Sequence, residues 1–210
     1  MCFSASASFA ASAMLGIVGI KTIKKAKKNH ELLLASIPFI FAIQQFIEGV
    51  LWLIIGKSPA MVMTLTYVIL FFALFWWPAY IPTVCYFLEK DKQRKNILLV
   101  FSVVGTMLGL YLYGNFIWHF SPAILINRCI FYSNPLFWPL NAILCSLYGI
   151  VTVGALVLSS KKSVNLFGLL AGFLAALCLW IYLKNFISVW CFFAALVSVV
   201  LYLHFVRKRK

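Results

Sequence analysis

Seven apolar runs, each about 20 residues long, follow one another along the chain with only short polar connections between them. They cover roughly Phe3–Ile20, Leu32–Gly56, Met61–Leu88, Ile97–Phe120, Phe137–Ser159, Val164–Leu183 and Phe186–Val206. A helix of that length rises about 30 Å, the thickness of a hydrocarbon core. Charged residues make up 10% of the 210 residues, against about a quarter in a soluble domain. Too few remain to cover a water-facing surface. The expected fold is all-α: a polytopic membrane helix bundle of seven transmembrane helices, forming a single domain over residues 1–210. A transmembrane barrel would show short alternating segments instead. The opening "MCFSASASFAAS" lacks a basic n-region and a well-placed cleavage pattern, so the first run is expected to be a span and not a cleaved signal.

The net charge of +14 does not form a nucleic-acid patch, because the basic residues punctuate the apolar runs. Lys21 to Lys28, Lys90 to Lys95, Lys161 to Lys162 and the tail Arg207 to Lys210 carry fifteen of the 18 basic residues. The alternate connections carry three: Lys57, Arg128 and Lys184. Cytoplasmic loops collect Lys and Arg, so the split requires an odd number of spans, with the N-terminus outside and the C-terminus cytosolic. The longest outer connection, "SPAILINRCIFYSNPLFWP", holds Pro122, Pro135 and Pro139, with Trp118, Tyr132 and Trp138 near its ends. It is expected to dip into the outer leaflet as a short helix or cap. Gly105 with Gly109, Gly168 with Gly172, and Ser4, Ser8 and Ser12 recur at four-residue spacing. Small residues so spaced let helices approach closely. Packing within the chain is the first expectation, a homodimer contact the second.

Of the four acidic residues, Glu31, Glu48, Glu89 and Asp91, only Glu48 lies well inside a run, in "FAIQQFIEGVLWLIIG". It stands about 12 Å of helix rise from Gly56, and a bare charge there costs about 3 kcal/mol. The carboxyl is expected to be protonated, paired or open to water. Gln44 and Gln45, four and three residues back, share its helix face. The topology brings Cys2, Ser4, His119, Cys145, Cys178, Tyr182, Ser188, Trp190 and Cys191 to similar depth, while Cys85 falls on the cytosolic side. Pro38, Pro78 and Pro82 mark helix breaks of a kind found in transporters and in ordinary packed spans. No H-E-x-x-H, H-x-x-x-H or C-x-x-C occurs, and the three histidines sit at run ends, so neither a metal site nor a cofactor is expected. Cys129 is a candidate for an external disulfide. The aromatic "FFALFWWPAYIP" is expected to pack in the core or to line a lipid groove. Three uses of Glu48 stay open: binding a small molecule, lipid or ion; catalysis on lipid with Cys2 or His119; or a structural hydrogen-bond knot. The working reading is an outer-half polar pocket of Glu48, Gln44, Gln45, Cys2, Ser4, His119, Ser188 and Cys191, with membrane lipids and a small-molecule or ion ligand as partners.

The segments "MCFSASASF", "IPFIFAIQQFIEGVLWL", "FFALFWWPAYIP" and "SVWCFFAAL" together resemble an uncharacterised family of small multi-pass bacterial membrane proteins that begin Met-Cys-Phe-Ser-Ala. The resemblance runs from the first residue to the last apolar run. It implies a bacterial inner membrane and one bundle domain, and no activity. It also implies recurring polar positions at Cys2, Ser4, Gln44, Gln45, Glu48, Ser188 and Cys191.

Overall fold

Serine, aspartate, glycine and proline punctuate the helices of the computed structural model, which describes residues 4–119, 121–126, 129–132, 141–182 and 185–207. Helix α1 spans Ala5–Ile23, and the Ser4 hydroxyl caps it by accepting the Ala7 N–H. Helix α2 spans Asn29–Ile54 and stops at Gly56, whose φ of +84° suits a residue without Cβ. Pro59 then opens α3, Pro59–Leu88, where its missing N–H costs nothing. Asp91 caps α4, Lys92–Trp118, by accepting the Arg94 N–H at 2.9 Å. A ribbon of β1, Ile124–Ile126, and β2, Cys129–Phe131, follows. The chain continues through α5, Ala142–Leu158, α6, Lys162–Ile181, and α7, Phe186–Val206.

Six of these helices are long and apolar enough to cross a membrane. The remaining one, α5, is shorter, rising about 25 Å. The expected run Phe137–Ser159 begins outside the described residues, as do Cys2, Arg128, Lys184, Pro135, Trp138 and Pro139.

In its described residues, the connection after α4 carries an antiparallel ladder. Ile124 faces Phe131, Leu125 faces Ile130 and Ile126 faces Cys129. Pro122 bars continuation of α4, and three of the six paired residues are isoleucine, which favours a strand. The ribbon still acts as a cap: Ala123, Cys129, Ile130 and Tyr132 are buried. It is pinned on two sides. The Ala123 N–H donates to Thr66 Oγ1 of α3 at 3.2 Å, and Asn185 Nδ2, in the α6–α7 turn, donates to the Ile130 carbonyl at 3.1 Å.

The small-residue seams lie within the chain. Ser12 donates to the Ala42 carbonyl at 2.8 Å. A Cβ added at Gly105 would stand 2.0 Å from the Pro78 carbonyl oxygen, and one at Gly109 would stand 3.0 Å from the Phe75 backbone. A Cβ at Gly168 would meet Leu156, and one at Gly172 would meet Val153.

Two helices carry a π-helical turn at mid-length, Phe71–Trp76 in α3 and Ile150–Gly154 in α5. In α3 the Trp77 N–H reaches back five residues to the Phe72 carbonyl. The Ala73 carbonyl thereby loses its usual α-helical donor, and the next candidate, Pro78, has no N–H. Tyr148 of α5 fills the vacancy, its hydroxyl donating to the Ala73 oxygen at 2.7 Å. One tyrosine so joins the two irregular turns.

At the basic-loop end, Glu89 is buried just past α3 and gathers backbone donors. Its carboxylate accepts the N–H of Lys90 at 2.9 Å and of Asp91 at 3.2 Å. It also accepts the N–H of Ser160, beyond α5, at 2.8 Å. Burial alone would raise this carboxyl, but the bonds from Ser160, Asp91 and Lys90 outweigh it and hold the group below the ordinary carboxylate value. A depressed acid stabilises the fold above its unfolded pKa, and the contribution disappears as pH falls through the lower folded value. Thermal melting should therefore show stability falling below about pH 4.5. The Glu89→Ala variant, whose three former N–H donors sit on exposed residues that water can reach, should lose about 1 kcal/mol at pH 7 and show a weaker acid dependence.

Candidate binding site

Along α2 two apolar cores meet. Leu34, Ile37, Phe41 and Ala42 belong to one, with Leu201 and Phe205 of α7. Leu51 belongs to the other, with Leu70 and Leu74 of α3 and Phe116 of α4. Gln44, Gln45 and Glu48 occupy the stretch between, all buried. Helical spacing aims the three side chains toward α3 and α7 instead of outward.

Ser188 of α7 donates its hydroxyl to Glu48 Oε1. Gln45 Nε2 donates to Oε2 of the same carboxyl at 3.3 Å. Trp77 Nε1 of α3 donates to Gln44 Oε1 at 2.9 Å, and the Trp77 ring stacks on Phe41 at 4.0 Å. The Gln44 amide lies against the Cys191 thiol. From the ribbon, the buried Tyr132 comes within electrostatic reach of both Glu48 and Cys191.

Three polar atoms of this cluster are buried without a hydrogen-bond partner among the described residues: Gln44 Nε2, Gln45 Oε1 and the Tyr132 hydroxyl. The Gln44 assignment is firm, because its oxygen must face the Trp77 N–H, a pure donor. The group left toward the Cys191 thiol is therefore an N–H donor, with no oxygen or nitrogen partner among the described residues. Gln45 can turn its amide over. In one setting Nε2 donates to a carboxylate; in the other Oε1 accepts from a carboxylic acid. Buried polar groups in native proteins are nearly always paired, so the cluster has unused capacity for water or a ligand.

A cavity of about 120 Å³ adjoins the cluster, lined by Ala73 and Leu74 of α3, Tyr148 of α5, Leu179 of α6, and Trp190 and Cys191 of α7. A smaller one of about 40 Å³ lies between Phe41, Trp77, Phe167 and Cys191. Cys191 borders both cavities and also touches Gln44. Neither cavity is lined by Glu48 itself.

The structure thus brings together Gln44, Gln45, Glu48, Ser188 and Cys191. It does not bring in His119, which is exposed at the end of α4 and bonded to Asn115 of its own helix at 3.0 Å. Nor does it bring in Ser4, which is exposed and occupied as the cap of α1. Cys2 lies outside the described residues. Cys129 is disulfide-bonded, while Cys85, Cys145, Cys178 and Cys191 are free. Trp77, Tyr132 and Tyr148 join the site without having been singled out for it. Tyr148 is tied in through the Ala73 carbonyl beside the Pro78 break, which was visible as sequence, and Trp77 through its indole N–H to Gln44. Tyr132 gave no local signal, because only the pairing of the ribbon carries it inward.

The match to known proteins covers the chain from end to end, over residues 1–210. The chain belongs to a family of unknown function, DUF6629. No curated protein and no solved structure matches it. Membership in DUF6629 brings no activity with it, so the site chemistry above carries the functional reading.

Proposed function

We propose that this DUF6629 protein is a seven-span protein of a bacterial inner membrane, with its N-terminus outside and its C-terminus in the cytosol. In this reading it binds a small molecule that bears a hydrogen-bond acceptor and a hydrocarbon portion. The acceptor meets Gln44 Nε2 and the Tyr132 hydroxyl beside Glu48, and the hydrocarbon lies toward Cys191. The observation that carries the reading is a set of three buried polar atoms with no hydrogen-bond partner among the described residues, two of them on α2 within one turn of Glu48. A knot built only for structure gains nothing from leaving them unpaired, since each costs about 1–3 kcal/mol.

Tyr132→Phe separates the two uses, because it deletes one unpaired hydroxyl and nothing else. In a dry knot the variant melts at the same temperature or higher. With a ligand in place, the variant melts lower, and mass spectrometry of solvent extracts recovers less of the co-purified molecule. A raised melting temperature with nothing extractable from either protein would refute ligand binding.

The orientation has its own test. Cysteines introduced at Lys27 and Lys92 should be shielded from an impermeant thiol reagent in intact cells, and one at Lys57 should be labelled. The fifteen-to-three distribution of basic residues supports this arrangement. Labelling at Lys27 in sealed cells reverses it.

A further inference from the structure

The larger cavity differs in chemistry from the polar cluster beside it. The polar atoms of its two large aromatic walls are already used. The Tyr148 hydroxyl donates to the Ala73 carbonyl at 2.7 Å, and Trp190 Nε1 donates to the Ala171 carbonyl at 3.1 Å. Beyond them its side chains are hydrocarbon, the Phe186 ring stacked on Trp190 at 5.2 Å, and the thiols of Cys145 and Cys191. Such a space offers a polar ligand nothing and stays dry unless hydrocarbon fills it.

The cavity also reaches the outside of the bundle. Its lining includes Cys145, which is exposed, and Leu179, 42% exposed. The second half of α5, from Ile150 on, packs against α6, whereas the half at the ribbon end, residues 142–149, packs on it only sparsely. The two helices therefore diverge where the cavity opens, and the mouth lies sideways, among residues that face lipid in a membrane-spanning chain.

We propose that this cavity takes up one acyl chain of a membrane phospholipid, which enters sideways between the ribbon-end halves of α5 and α6. The inference rests on the membrane-spanning reading and not on ligand binding at Gln44. The volume of about 120 Å³ is close to that of the apolar cavity of about 150 Å³ known to take up benzene, so roughly six carbons of chain fit. The chain end would stop at Cys191, against the back of the polar cluster.

Gly149 supplies the test. It lines the cavity, and a Cβ built on it meets nothing within 4 Å, so Gly149→Leu fills the space and improves helix propensity. Wild type and Gly149→Leu are reconstituted in phosphatidylcholine vesicles doped with phosphatidylcholine carrying a diazirine on its acyl chain. After irradiation, adducts are mapped by peptide mass spectrometry. Wild type should carry adducts on Tyr148 and Trp190, and Gly149→Leu should lose them while keeping adducts on the exposed Met107 and Phe173. Ala175→Leu, filling from α6, gives the same comparison should Gly149→Leu fail to fold. Equal labelling of Trp190 in wild type and filled variants, or labelling confined to exposed residues, overturns the proposal. Cavity adducts together with identical extracts and melting temperatures for wild type and Tyr132→Phe would leave this inference standing and remove the polar-site one.

Discussion

Gly105→Ala should lower the thermal midpoint by roughly 6–12 °C, the equivalent of about 3 kcal/mol for a chain of this length. The added Cβ would stand 2.0 Å from the Pro78 carbonyl oxygen and 3.0 Å from its carbon. A long side chain could swing aside; a helix backbone cannot. Relief requires α4 to move away from α3, which would loosen the π-helical turn beside Pro78 and the Tyr148 bond to Ala73. Gly114→Ala is the matched control on the same helix, since nothing lies within 4 Å of its Cβ. That variant should be neutral or gain up to about 1 kcal/mol from helix propensity. Equal effects at the two positions would show that the α3–α4 contact is not tight.

Glu48→Ala should cost about 3 kcal/mol, because it strands the Ser188 hydroxyl and the Gln45 amide in a buried site. Glu48→Gln should melt within about 1 kcal/mol of wild type. The new amide can accept from Ser188 and donate to Gln45 Oε1 once Gln45 turns over, which uses an acceptor left idle in the native arrangement. The pair of variants separates shape from proton. If the carboxyl acts through its proton or charge, Glu48→Gln folds normally and no longer retains the extractable ligand. If ligand retention is unchanged, hydrogen-bond geometry is all that Glu48 contributes.

Much of this architecture was legible in the residues themselves. Run length and hydropathy determine the helices, since a segment of about 20 apolar residues has few other ways to satisfy its backbone in lipid. The isolated carboxyl in "QQFIEG" marked the polar layer for the same reason: its cost demands partners. The i, i+3 and i, i+4 spacing placed Gln45 and Gln44 beside it. Alternating span direction put Ser188 and Cys191 at its depth, and the four-residue spacing of small side chains anticipated close helix approach.

Depth is one coordinate, however, and a site needs three. His119 and Ser4 were brought to the same end by the same counting as Ser188. Whether a side chain faces the cluster, lipid or its own helix depends on the rotation of each helix, which packing against neighbours decides. His119 turns to Asn115, Ser4 to the first turn of α1, and Ser188 to Glu48. The inward path of Tyr132 follows from non-local strand pairing and from anchors at Thr66 and Asn185. The cavity beside Cys191 is walled by residues of α3, α4, α5, α6 and α7 together, a property of the packed helices that the composition of no one of them encodes.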